Sequence, residues 1–457
     1  MNLTTYRKEL KETIYLGVPI IIGQLGNVLM GVGDTIQVGR LGASPVAASG
    51  FANSVFWLIS IIGIGSLMVV GPQTATAKAQ GNYAECRRIL LSGLYVGFFW
   101  GIVVAGLFLL VSQHFELFNQ KPDVQALATD YSFYVAFSAI PLMVYAALRQ
   151  FTDGLSFTRV TMIITLLGTV LDIFLNWVFI NGKLGVPAMG LNGAGITTII
   201  SRTVMAIGLG VYIVKDNIFK PFISVQSENS LIPLLVKLIR LGLPGGLQLF
   251  FEIAAFSSAT FFAGWLGTLQ QAAHSIALNM ASVTYMVAAG LSSAGAIRVG
   301  QAVGLRDRHK IIRAGAITVF LVILFMGTAC LTFLVLARFL TSLYTDDVAL
   351  MTITTSLVII AGFFQLSDGL QVTGLGILRG ISDVNIPTYI TLVAYWIVGL
   401  PMAYVFAFVL KLDIQGVWYG LFLGLTTSAL LLLTRFYKLT STADFEFKSV
   451  PQEILHG

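Results

Sequence analysis

The chain has 457 residues, 56% of them hydrophobic and 11% charged, with a mean hydropathy of +0.86. A soluble chain is about 25% charged, so ionic groups here are too sparse to cover a water-exposed surface of this length. That excludes a soluble enzyme, a disordered scaffold and a nucleic-acid-binding domain, and leaves a polytopic membrane protein.

A bilayer core takes about 20 mostly apolar residues per helix, and twelve such windows follow one another. The first covers about 14–38; it is too long for a signal-peptide core. It carries Pro19, which predicts a bend, and Gly23, Gly26, Gly31 and Gly33, which predict close approach of a neighbouring helix, ahead of Asp34. The next five windows are about 46–71, 89–112, 128–148, 160–181 and 193–214. The fifth holds Asp172 and, one turn on, Asn176; the sixth holds Thr197 and Arg202. After a basic linker come windows at about 241–263, 271–297, 314–337, 349–371, 388–410 and 416–434. The seventh holds Pro244 and Glu252, and the tenth holds Asp368. Cys86, read as lying in a basic loop, and Cys330, in an apolar span, are too few and too separated for a disulfide framework or a metal cluster.

The basic excess that gives the net charge of +6 is sorted by position. Of the 27 Lys and Arg, 21 lie at the N-terminus, in the loops after even-numbered spans or in the C-terminal tail; 5 lie in the other loops, and Arg202 lies within a span. The positive-inside rule then places both termini in the cytoplasm. Basic residues dispersed over seven segments do not form a nucleic-acid patch.

The chain also resembles itself. Leu16-Gly17-Val18-Pro19 recurs as Leu241-Gly242-Leu243-Pro244, and Gly39-Arg40-Leu41-Gly42 as Gly264-Trp265-Leu266-Gly267, each followed by an Ala-Ala pair. Leu148-Arg149 with Asp153 recurs as Leu378-Arg379 with Asp383. Residues 1–215 and 241–457 therefore form two six-span units, joined by a linker at 216–240. Six is even, so the units share an orientation and a pseudo-twofold axis along the membrane normal relates them, as in secondary transporters.

Four acids fall inside spans: Asp34, Asp172, Glu252 and Asp368. A carboxylate at the centre of a membrane helix costs about 2.5–3.5 kcal/mol and usually marks an ion or proton pathway. Each also has a structural reading: Asp34 interfacial, Asp172 satisfied by Asn176, or an acid paired with Arg202. Asp34 lies fifteen residues after Pro19 and Glu252 eight after Pro244. The difference is two turns, which puts both acids on the same helix face at different depths. No phosphate-binding GxxxxGK[ST] loop is present to power transport with a nucleotide, so the chain is read as a non-enzyme driven by an ion gradient.

These residues resemble the multidrug and toxic compound extrusion (MATE) family, most closely its bacterial NorM branch, over nearly the whole chain. The most specific stretches are Gly33-Asp34-Thr35, Leu148-Arg149-Gln150-Phe151-Thr152-Asp153-Gly154, Leu175-Asn176-Trp177, Phe251-Glu252, Ile297-Arg298-Val299-Gly300, Leu343-Tyr344 and Leu378-Arg379-Gly380. The resemblance implies an all-α fold of twelve transmembrane helices in two six-helix bundles, V-shaped, in the cytoplasmic (inner) membrane. It implies a monomer that exports cationic amphipathic small molecules in exchange for Na+ or H+, with no other cofactor. It places a cation site, as a metal site for Na+, at Glu252 and Asp368 in the C-terminal half. A second cation or proton site falls at Asp34, Asp172, Asn176 and Thr197 in the N-terminal half. Some sodium-coupled relatives carry Tyr where Phe364 stands here. A flippase of lipid-linked saccharides and an ion channel are the alternatives. The flippase would favour a basic cavity, whereas acids here outnumber Arg202 within the spans.

Overall fold

The computed structural model describes residues 3–118, 120–225 and 230–441. The C-terminal tail expected in the cytoplasm lies outside the described residues from 442 onward, as does part of the linker, 226–229.

Among the described residues twelve helices are long and apolar enough to cross a membrane, and each sequence window falls on one of them. They are α1 (Tyr6–Gly39), α2 (Ala43–Ala79), α3 (Tyr83–Ser112), α4 (Pro122–Gly154), α5 (Thr158–Asn181) and α6 (Gly190–Lys215), then α7 (Ile232–Leu266), α8 (Thr268–Gly304), α9 (Arg308–Ser342), α10 (Val348–Gly380), α11 (Asn385–Val409) and α12 (Asp413–Ser441). Most outrun the apolar windows, and three of them start on a polar cap. Asn82 accepts from the Glu85 amide, Asp307 from that of Lys310, and Asp347 from those of Ala349 and Leu350, each satisfying donors that a helix start leaves open. The Asn82 cap corrects the reading of Cys86: it lies in the first turn of α3 and is buried, not in a loop.

Helix α1 stays helical through Pro19. In α11 the backbone widens into π-turns over Val393–Gly399 and Val405–Val409, on either side of Pro401. Proline offers no N–H to the carbonyl four residues back, and π-turns are a common way for a helix to accommodate such a break.

The two sequence repeats pack alike. Within the first six helices the closely packed pairs are α3 with α4, α4 with α6, α5 with α6, α2 with α4 and α2 with α3; the last six repeat every pair six helices later. The chain divides into two compact units. The N-terminal unit is residues 22–246, and the C-terminal unit is residue 247 onward together with the stretch ending at Ile21. The start of α1 thus belongs to the C-terminal unit. Arg298 on α8 pairs there with Glu9, and with Glu12 at 2.6 Å, while Ile21 packs against the Ala288–Leu291 cluster. The start of α7 correspondingly belongs to the N-terminal unit, where Gly242 and Gly246 lie directly against α2 backbone at Ser66 and Ile62.

Apolar side chains cover the outward faces. On α9, Phe320, Leu324, Leu331 and Val335 lie exposed at helical spacing, as a lipid-facing stripe does, because lipid tails are as apolar as leucine. Inner faces are built from small residues that let helices approach. Gly420 on α12 lies so close to α11 that a Cβ would be driven into the Ala403 backbone, whereas Gly106 on α3 faces open space. Overpacking costs about 1–3 kcal/mol. Gly420→Leu is therefore expected to lower the detergent melting temperature by several degrees and Gly106→Leu to leave it unchanged, as read by intrinsic-fluorescence unfolding.

Candidate functional site

Each unit holds a pair of acids within its helices. In the N-terminal unit, glycines on α1 let α5 come close. A Cβ on Gly33 would meet Ile173 Cγ1 at 2.9 Å and one on Gly26 would meet Leu166 at 3.3 Å. The approach is fixed by Thr169 Oγ1 donating to the Gly26 carbonyl (3.0 Å) and Gln37 Nε2 donating to the Ile173 carbonyl (2.8 Å). That register sets Asp34 opposite Asp172 and Asn176.

The Asn176 amide bridges the two acids. Its Nδ2 donates to Asp34 Oδ1 at 2.5 Å and to Asp172 Oδ2 at 3.1 Å. Helical spacing pairs Asn176 with Asp172, and the bond to Asp34 adds the second half of the bridge, within the set that the family resemblance groups. Asp172 and Asn176 are fully buried and Asp34 is partly buried. Asp172 Oδ1, Asn176 Oδ1 and the buried hydroxyl of Thr197 on α6 have no hydrogen-bond partner. Buried polar atoms normally have one, and a hard cation takes oxygen ligands of these kinds. A half-turn of the Asn176 amide would bring its oxygen to the side where the nitrogen now bridges the acids. Arg202 makes no ion pair with either acid; its Nη1 donates to Ser138 Oγ at 2.7 Å.

In the C-terminal unit, Glu252 on α7 and Asp368 on α10 are each 5% exposed and lie within each other's electrostatic field. Gln371 Nε2 donates to Glu252 Oε2 at 3.3 Å. Gln371 Oε1, both polar side-chain atoms of Gln365 and the Tyr395 hydroxyl are buried without partners. Tyr285 on α8 and Tyr395 in the first π-turn of α11 both feel the two carboxylates, and Arg379 acts on Glu252. Tyrosine hydroxyls thus stand in the acids' field from positions 285 and 395, while Phe364, 2% exposed, packs its ring on Phe256 and Trp418. Gln371 lies one turn from Asp368, a spacing that could have flagged it; Tyr285 and Tyr395 are distant in sequence and gave no such signal.

The repeated Leu-Arg…Asp motif diverges between the halves. Arg149 pairs with Asp153 four residues on, at 3.6 Å, and Asp153 also accepts from Thr161 Oγ1 at 2.7 Å. Asp383 is instead held by Arg435 of α12 through two bonds of 2.5 and 3.1 Å. Among the described residues no three His, Cys, Asp or Glu side chains group as a metal site; each candidate site joins two acids to amide and hydroxyl oxygens.

The MatE family model matches residues 19–178 and 244–405, one copy in each repeat. The chain belongs to the MatE family. It is 33% identical over 435 residues to the probable multidrug resistance protein NorM of Rhizobium meliloti, covering 94% of this chain and 93% of that protein. Against the multidrug resistance protein NorM of Vibrio cholerae the identity is 32% over 455 residues, covering 96% and 97%. Among solved structures, the eukaryotic MATE transporter AtDTX14 superposes with a TM-score of 0.85 at 20% identity, covering 97% of this chain and 99% of that one. A multidrug resistance MATE transporter of the MOP superfamily gives the same TM-score over 95% and 96%. The all-α, twelve-helix fold is that of MATE transporters, and the NorM-like assignment holds over nearly the full length. This MATE protein is an integral membrane transporter.

Leaving the two N-terminal carboxylates without their shared donor costs about 1–3 kcal/mol. Asn176→Leu is expected to lower the detergent melting temperature by several degrees, and Asn176→Gln to recover part of the loss.

Proposed function

We propose that this transporter exports cationic amphipathic compounds in exchange for Na+ or H+. What carries the reading is a pair of inward-held carboxylates in each unit of a MATE-family chain, each pair surrounded by amide and hydroxyl groups rather than by a stoichiometric set of cations. The relatives' names as multidrug resistance proteins support the substrate class.

Exchange follows from competition. A buried carboxylate can be neutralised by the coupling cation or by the drug cation, and holding both is unfavourable where charges are poorly solvated. Binding of one therefore drives release of the other, provided that the site opens alternately to the two sides. Glu252 and Asp368 form the C-terminal cation site; Asp34 and Asp172, with Asn176 and Thr197, form the N-terminal one. Aromatic side chains would hold flat organic cations by their ring faces. The positive-inside distribution supports a cytoplasmic-membrane location with both termini in the cytoplasm, and a monomer suffices because both sites lie within one chain. The acidic character of the buried sites favours cations over the pyrophosphate headgroup that a saccharide flippase would carry.

Purified protein in liposomes, loaded with ethidium and given an imposed Na+ or pH gradient, tests the proposal and identifies the ion. Glu252→Gln and Asp368→Asn are each expected to slow gradient-driven transport by about tenfold or more, equivalent to about 1.4 kcal/mol. Full rates in both variants would remove these acids from the mechanism.

A further inference from the structure

Arg202 on α6 is a half-buried charge within a membrane-spanning helix that the exchange just described does not use. A guanidinium near two carboxylates ordinarily forks onto one of them. Here Asp34 and Asp172 are bridged by the neutral amide of Asn176. Arg202 is bound elsewhere: Nη1 donates to Ser138 Oγ at 2.7 Å, and its Cζ stands 5.3 Å from the Phe56 ring centre and 5.8 Å from that of Trp57. Phe56 is fully buried and Trp57 half-exposed, so the guanidinium has one dry aromatic neighbour, and desolvation strengthens cation–π attraction. It is nonetheless the cation whose field reaches both acids.

With both acids ionised, the cluster of two carboxylates and one guanidinium carries a single net negative charge. An entering cation is attracted by the acids and repelled by Arg202, and at low effective dielectric that repulsion is not screened away. From these positions we infer that Arg202 is a specificity-determining resident cation. Held on Phe56, Trp57 and Ser138, it offsets one of the two N-terminal carboxylates and limits the Asp34–Asp172–Asn176 cluster to one weakly held monovalent cation. The weakness serves turnover, since an ion bound by two uncompensated carboxylates would leave slowly. The ring faces keep the arginine from collapsing onto the acids and closing the site. The inference rests on the reading of that cluster as a cation site.

The test is equilibrium binding of radioactive sodium to purified full-length protein carrying Glu252→Gln and Asp368→Asn, so that the C-terminal acids contribute nothing. Adding Arg202→Gln, which removes the charge and keeps a donor for Ser138, is expected to tighten sodium binding by about tenfold or more. Arg202→Met serves in its place if the glutamine variant fails to fold, as judged by its melting curve. Arg202→Lys keeps the charge and is expected to stay within about twofold of the parent. Unchanged, weaker or unmeasurable sodium binding in the charge-removed variant would overturn the role of Arg202. Adding Asp34→Asn to the tightened variant is expected to abolish the gain. A gain that survives Asp34→Asn would instead overturn the cluster as the site, which separates failure of that reading from failure of the arginine's role.

Discussion

A carboxylate carried into a membrane must find partners within the protein, and much of this molecule's interior is arranged around that requirement. Each such group costs about 2.5–3.5 kcal/mol at a helix centre before any compensation. In the N-terminal unit a single amide is shared by the two acids. The sharing is possible only because glycines bring α1 and α5 close enough for one side chain to span both. Small residues, helix approach and acid placement are thus one constraint seen at three scales. In the C-terminal unit Gln371 donates to Glu252, and Tyr285, Tyr395 and Arg379 lie within electrostatic reach of the acids.

The repeats share a packing plan but distribute charge differently. Both carry an arginine followed four residues later by an aspartate. In the first half these two remain a local pair; in the second, Arg435 takes over the aspartate in a two-point grip. The shared scaffold thus carries two different charge arrangements.

Twelve spans, the internal repeat and the in-span acids were all legible in the sequence, because membrane insertion depends on hydropathy and hydropathy is local. The asparagine bridge was half legible: the four-residue spacing gave the Asp172 contact, but the Asp34 contact spans 142 positions. Spacing says which face a residue occupies, not what packs against it. The same limit hid Arg298 with Glu9 and Glu12, and Tyr285 and Tyr395 beside the acids. Cys86 was misplaced for a different reason: a basic run reads as a loop, yet Asn82 is a strong helix start.

The early residues of α1 have a consequence for how the molecule is made. They are synthesised well before α8, yet Ile21 packs against the cluster that holds Ala288 and Leu291, and Glu9 pairs with Arg298. Until the eighth span is in the membrane, these partners of Glu9 and Ile21 are missing, and an early, self-contained N-terminal half cannot include those contacts. Synthesis order and final packing are therefore out of step in this chain, and a polypeptide cut between the two repeats would leave each fragment holding a piece of the other's core.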